Sequence, residues 1–95
     1  MTRNTSVTIR VPAQLRAYCN GASDLSMPAA DLRSALEELE RRFPSLYGNV
    51  CDETGMVRRH VNIFVNARHM RDRSGLDTPL EAGDVVTILP AISGG

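Results

Sequence analysis

The chain has 95 residues, of which 42% are hydrophobic, and this length and composition fit one packed core without a second domain. The 11 basic residues, all arginine, balance 11 acidic residues, so charge gives no reason to expect a nucleic-acid partner. No stretch approaches the roughly 18 apolar residues of a membrane helix. We therefore expect a single domain over residues 1–95, with residues 91–95 as a flexible C-terminal tail and no membrane or nucleic-acid partner.

The two cysteines and two histidines do not form a recognisable metal site. Neither Cys19 nor Cys51 has another cysteine or a histidine at ligand spacing, and two cysteines do not make a disulfide framework. His60 and His69 lie nine residues apart with no third ligand, which is typical of surface histidines. We predict no bound metal and a reduced, cytoplasmic protein. A nucleophilic Cys51 would require a base or an electropositive pocket, and the sequence shows neither.

The N-terminal region has the pattern of a β-hairpin. Apolar and polar side chains alternate over residues 5–11, which predicts a half-buried strand. Pro12 ends this strand, and Asn20-Gly21 marks a turn. A weaker alternation over residues 23–27 predicts the return strand.

The periodicity changes to that of a helix at Asp31. Apolar residues then recur along one helical stripe, at Leu32, Ala35, Leu36, Leu39 and Phe43. The stripe predicts an amphipathic helix over residues 31–43 that Pro44 ends. Residues 46–60 contain no such pattern and are expected to be an irregular, polar segment, with turns at Gly48 and Gly55 and with Arg58-Arg59 exposed to solvent.

Two further strands are predicted in the C-terminal half. Residues 61–65 alternate, with Val61, Ile63 and Val65 directed inward and Asn62 and Phe64 outward. Residues 76–80 are expected to form a short turn or a single helical turn. Residues 85–89 are apolar on both faces, as is usual for a central strand. The element order predicts an α+β roll in which the first and last strands are central neighbours.

The last strand leads into Ala91-Ile92-Ser93-Gly94-Gly95. Glycine lacks a Cβ atom, so Gly94-Gly95 can extend through a channel that excludes side chains. A terminal carboxyl group has a pKa of about 3.5 and is an anion at neutral pH, hence a poor electrophile until it is activated. Attack on the α-phosphate of ATP would give an acyl adenylate, and a sulfur donor could convert this to a thiocarboxylate. We expect Gly95, with Gly94, to be the reacting group; an inert, frayed chain end is the alternative.

Two segments resemble a known family. Residues 83–95 read Gly-Asp-Val-Val-Thr-Ile-Leu-Pro-Ala-Ile-Ser-Gly-Gly, and residues 61–66 read Val-Asn-Ile-Phe-Val-Asn. Both resemble the MoaD/ThiS family of sulfur carriers, members of the ubiquitin-like β-grasp superfamily. The resemblance implies a β-grasp roll, with a mixed sheet of four to five strands packed on one main helix. It also implies a carrier rather than an enzyme, with no bound cofactor. A MoeB/ThiF-like activating enzyme would use ATP to adenylate Gly95, which would then be thiocarboxylated.

Within this family the sequence looks most like carriers of cysteine biosynthesis, the CysO type. Such carriers pass sulfur to O-phosphoserine on a cysteine synthase, and a metalloprotease then frees the cysteine. The small subunit of molybdopterin synthase usually has a second proline where this chain has Ala91, which weakens that alternative. Carriers for other thiolated metabolites would look the same at this level.

The resemblance also implies that partners dock on the outer sheet face beside the tail. Strand alternation assigns to this face Thr8, Arg10, Phe64, Thr87 and Leu89, and the tail adds Ile92. The alternative for Phe64 is that it packs under residues 46–60. Two other functional classes stay open: a protein modifier that acylates lysines of its targets, and an adaptor with an inert tail.

Overall fold

The computed structural model describes residues 6–90. Its strands and α-helices follow in the order β1 (Ser6–Arg10), β2 (Asp24–Pro28), α1 (Leu32–Arg42), α2 (Pro44–Val50), β3 (Val61–Val65), β4 (Arg68–His69) and β5 (Val85–Pro90). Within the same residues, 3₁₀ helices occur at Ala13–Cys19, Met70–Asp72 and Gly75–Asp77. The predicted strands and the main helix are therefore confirmed to within a residue or two at each end. No helix in residues 6–90 is long and apolar enough to cross a membrane.

The strands form one mixed sheet in the order β2-β1-β5-β3-β4. The central pair, β1 and β5, is parallel, and the other neighbours are antiparallel. The first and last strands are thus the central neighbours that the sequence predicts. This topology, with α1 on one face, is the predicted β-grasp roll.

The core lies between the inner face of the sheet and the two α-helices. The predicted stripe of α1 is directed into it, with Leu32, Ala35, Leu36 and Leu39 buried and Phe43 half-buried. The sheet contributes alternate residues of β1, β3 and β5: Val7, Ile9, Val61, Ile63, Val65, Val86 and Ile88. The other residues of these strands face the opposite side of the sheet, because successive strand side chains alternate between faces.

A capping box fixes the start of α1. The Asp31 Oδ1 atom accepts a hydrogen bond from the Ser34 backbone N–H at 2.7 Å, and the Ser34 Oγ atom accepts one from the Asp31 N–H at 3.2 Å. Each bond satisfies an amide that has no partner within the helix. The helix consequently begins where the sequence pattern changes period.

The expectation that residues 46–60 are irregular is wrong for its first part. The second helix, α2, starts at Pro44 and ends at Val50. Pro44 does end α1, but it also occupies the first turn of α2, where its missing N–H costs no hydrogen bond. Leu46 and Val50, four residues apart, are both buried and give α2 an apolar side. The predicted turn at Gly55 is present with φ +89°, whereas Gly48 lies inside α2.

The turn before β5 is tied to both neighbouring strands. Gly83 has φ +89°, a conformation that favours glycine, and its N–H donates to the Ser6 carbonyl. The Thr8 N–H donates to the Asp84 carbonyl at 3.0 Å. On the other side, Asn66 accepts from the Val85 N–H and donates to the Asp84 carboxylate. These bonds hold the start of β5 between β1 and β3.

Candidate functional site

The predicted partner-binding side chains of the described residues share the open face of the sheet. Arg10 and Leu89 are exposed, and Thr8, Phe64 and Thr87 are half-buried. Each alternates with a buried neighbour on its own strand, so all five lie opposite the helices. Strand periodicity predicts this shared face from the sequence.

The strand register places several of these residues side by side. Arg10 of β1 is paired with Thr87 of β5, and Thr87 is paired in turn with Phe64 of β3. The row continues to Asp24 on β2 and to His69 on β4, so it crosses the whole sheet. Thr8 lies further along β1, paired with Val85.

Leu89 is the exposed apolar side chain of this face. It is 45% exposed, and β3 presents Asn62 beside it. The only other large hydrophobic side chains exposed among residues 6–90 are Tyr18 and Met56, outside the sheet. Leu89 and the half-buried Phe64 therefore provide an apolar surface bordered by polar groups, which is typical of an interaction site.

His69 is a member of this face that the sequence analysis does not assign to it, because its position depends on the pairing of β4 with β3. The imidazole and the Phe64 ring form a T-shaped pair, with ring centroids 5.1 Å apart and an interplanar angle of 73°. Its Nδ1 atom accepts from the Arg71 N–H at 3.0 Å, and its Nε2 atom is 3.1 Å from Asn62 Oδ1. In this arrangement Nε2 donates to Asn62, so His69 fixes both outward side chains of β3.

The alternative position for Phe64, under residues 46–60, is wrong. From that segment, Tyr47 and Val57 pack against the hydrophobic core on the helical side, whereas Phe64 is on the open face beside His69. Phe64 therefore remains on the open face, where its ring is half-buried.

The described part of the chain ends at one end of this face. Pro90, the last described residue, is paired with Val61 at the start of β3, and Leu89 immediately precedes it. The predicted reacting residues Gly94 and Gly95, and the predicted contact residue Ile92, lie outside the described residues. The open face and the point of departure toward Gly95 are thus adjacent.

The cysteines do not form a competing nucleophilic site. Burial raises the pKa of the Cys51 thiol to about 11, so little thiolate is present at neutral pH. The Cys19 Sγ atom is buried and donates to the Ala22 carbonyl at 3.3 Å. Among residues 6–90, no group of three or more potential metal ligands occurs.

A groove on the helical side is a weaker candidate for a site. It lies between α1 and residues 54–55, is lined by Arg33, Glu37 and Tyr47, and has a volume of about 190 Å³. Small-molecule sites usually exceed about 300 Å³. The open sheet face is therefore the stronger candidate for the functional site.

Comparison with known sequences identifies the family. The ThiS family model matches residues 9–95. The sulfur carrier protein CysO of Mycobacterium tuberculosis is 35% identical over 92 residues, which cover 95% of this chain and 99% of that protein. Small archaeal modifier protein 3 of Haloferax volcanii is 33% identical over 66 residues, which cover 70% and 71% of the two chains. This chain belongs to the ThiS family.

Solved structures agree with this assignment. A crystal structure of M. tuberculosis CysO matches with a TM-score of 0.83 and 34% identity, covering 90% of this chain and 99% of that one. A chain of the BexX/CysO complex of Amycolatopsis orientalis matches with a TM-score of 0.85 and 29% identity, covering 94% and 99%. The predicted family and β-grasp fold are confirmed, and the relatives are carrier and modifier proteins rather than catalysts.

Proposed function

We propose that this protein is a sulfur carrier whose working group is the carboxylate of Gly95. The observation that carries the proposal is the similarity to CysO over 95% of the chain, together with a family match that extends through residue 95. The Gly94-Gly95 motif matches the terminal motif of the family in residue type. Glycines suit this role because a chain without side chains can enter a narrow catalytic channel.

The proposed chemistry has two steps, both on a partner enzyme. A carboxylate oxygen of Gly95 attacks the α-phosphorus of ATP, and pyrophosphate leaves. Sulfur at the oxidation level of sulfide then attacks the acyl carbon, and AMP leaves with the bonding electrons. The product is a thiocarboxylate, an anionic sulfur nucleophile at neutral pH. ATP is a substrate of the activating enzyme, of the MoeB/ThiF-like type, and not a cofactor of this chain.

The open sheet face is the proposed contact with the activating enzyme. Leu89 and Phe64 would be covered by the partner. Complete burial of a fully exposed apolar side chain is worth about 1.5–3 kcal/mol, and because both side chains are already partly covered, each would contribute a fraction of that value. Thr87 lies two residues before Leu89 on β5, where it is paired with Phe64 on one side and with Arg10 on the other. A partner held on this face would lie next to Pro90, where the chain continues to Ile92, Gly94 and Gly95.

The proposed acceptor is an amino acid precursor of cysteine on a cysteine synthase. The similarity to CysO supports this choice, as does Ala91 in place of a second proline. Sulfur of the thiocarboxylate would displace the phosphate of O-phosphoserine in a reaction assisted by the synthase. The carrier would stay joined to the new cysteine until a metalloprotease hydrolyses the bond after Gly95.

Reconstitution tests this proposal and its acceptor separately. The protein is incubated with the ThiF/MoeB-like enzyme of its host, ATP and sulfide, then with the cysteine synthase and O-phosphoserine. We expect a thiocarboxylate first and a Gly95–cysteine adduct second, both detected by mass spectrometry, and neither when ATP is omitted. A thiocarboxylate that O-phosphoserine leaves unconsumed would exclude the cysteine pathway. Absence of any thiocarboxylate would contradict the carrier function.

A second candidate is protein modification, which the similarity to small archaeal modifier protein 3 supports. The same adenylated Gly95 would then acylate lysine amines of target proteins. The chain has no lysine, so conjugates could not grow on its own side chains. Peptides with a lysine joined to Gly95 in digests of host protein would support this function.

A further inference from the structure

Positive charge is concentrated on the β3–β4 side of the sheet. Residues 58–73 contain five of the 11 arginines and both histidines but one acidic residue, Asp72. β4 is the edge strand beside β3, and the 3₁₀ helix Met70–Asp72 packs against β3. In a chain with a formal net charge of zero, this segment carries a local excess of four positive charges.

None of the five arginines of this segment has an ionic partner in the described part of the chain. Arg59, Arg71 and Arg73 are exposed, and the ion pairs found within residues 6–90 involve other arginines: Arg10, Arg33, Arg41 and Arg42. We call these three residues the arginine edge. On the exposed side of α1, by contrast, arginines are paired with an acidic side chain, because Glu38 binds both Arg41 and Arg42.

The other two arginines of the segment, Arg58 and Arg68, give less support for a docking surface. The Nε atom of Arg58 donates to the Gly48 carbonyl at 2.9 Å, which joins it to α2. Hydrogen bonds from Thr54 hold the pKa of the Asp52 carboxyl below its ordinary value, and the charge of nearby Arg58 adds to this effect. Arg68 lies at the hairpin end of β4, opposite Val65 and far along β3 from Val61. Neither residue is included in the arginine edge.

The arginine edge borders the place where the chain departs toward Gly95. Pro90 is paired with Val61, which follows directly on Arg59 and His60. The antiparallel register of β3 and β4 returns the chain toward the start of β3, and Met70–Asp72, which includes Arg71, packs against β3. Positive charge therefore flanks the point at which residues 91–95 begin.

We propose that the arginine edge docks on an acidic surface of the protein that receives residues 91–95. The inference rests on the proposed function, because it requires an enzyme that accepts this segment. Guanidinium groups stay positively charged in proteins, and charges at the rim of an interface mainly accelerate association with a surface of opposite charge. A nucleic acid is the less favoured partner, since the whole chain carries no basic excess.

A charge-matched pair of triple variants tests the proposal. R59Q/R71Q/R73Q removes the arginine edge, and R33Q/R41Q/R42Q removes the same charge from the helical side, where exposed ion pairs contribute little stability. Each is assayed by ATP–pyrophosphate exchange with the host's recombinant ThiF/MoeB-like enzyme over a range of NaCl concentrations. For the first variant, we expect the KM of the enzyme for this protein to rise about tenfold at low salt, with kcat unchanged. At high salt, this KM should converge with the wild-type value. The second variant and R59K/R71K/R73K should keep the wild-type KM.

Three outcomes would overturn the inference. The first is a wild-type KM for R59Q/R71Q/R73Q at low salt, and the second is an equal increase in KM for both glutamine variants. The third is unchanged exchange together with lost binding of a labelled single-stranded RNA, which would assign the edge to nucleic acid. Failure of the wild-type protein to support exchange at any salt concentration is a separate result, and it would remove the proposed function along with this inference.

Discussion

Deletion of Gly95 is expected to abolish adenylation while leaving the domain folded. The deletion moves the terminal carboxylate by one residue, about 3.5 Å along an extended chain. A reacting group displaced by even about 1 Å can cost about 100-fold in rate, so exchange of pyrophosphate into ATP should fall by more than that factor. All buried hydrophobic side chains of the described part lie between Val7 and Ile88, so we expect the free energy of unfolding to change by less than about 0.5 kcal/mol.

The matched control for this deletion is Ser93→Ala, which keeps the chain length and the Gly94-Gly95 motif. It should retain wild-type exchange. Urea denaturation followed by circular dichroism verifies that both variants are folded. A folded deletion variant that still supports exchange at the wild-type rate would show that Gly95 is not the adenylated residue.

Leu89→Arg is expected to weaken activation strongly without unfolding the protein. The side chain is already 45% exposed in the free protein, so a charge there has little effect on stability. In the proposed complex the same position is covered by the activating enzyme, where an unpaired charge and lost apolar contact cost about 1.5–3 kcal/mol. This corresponds to an increase in KM of about 10- to 100-fold.

Met56→Arg provides the control for Leu89→Arg. Met56 is 60% exposed and lies in the segment between α2 and β3, outside the sheet. The two variants have the same change in charge and similar loss of apolar surface, so a specific docking face predicts an effect at Leu89 alone. Phe64→Ala should raise KM as well. Equal KM values for Leu89→Arg and Met56→Arg would exclude the open sheet face as the docking surface.

Much of the fold can be predicted from local periodicity. Alternation over residues 5–11 and 61–65 gives the strands and their buried faces, and the apolar stripe from Leu32 gives α1. Segments without enough residues to establish a period are missed: β4 has two residues, and α2 has seven and begins at a proline. Pro44 illustrates the ambiguity, because one residue both ends a helix and starts the next.

The candidate site is only partly predictable for a related reason. Alternation assigns Arg10, Phe64 and Thr87 to one face, but it contains no information on register between strands. The register depends on contacts such as those of Asn66 and Asp84 with β5, which link residues distant in sequence. The position of His69 beside Phe64 depends on the separate pairing of β4 with β3 and could not be read from its spacing to His60.

The most direct test of the central claim is the intact mass of the protein isolated from its native host without reducing agents. The account predicts a species heavier by the mass difference between sulfur and oxygen, and fragmentation should place that difference on Gly95. Such a species would establish the thiocarboxylate and leave its acceptor to be found. Protein without this species, together with Gly95 joined to lysine amines of other proteins, would contradict the carrier account and establish a protein modifier.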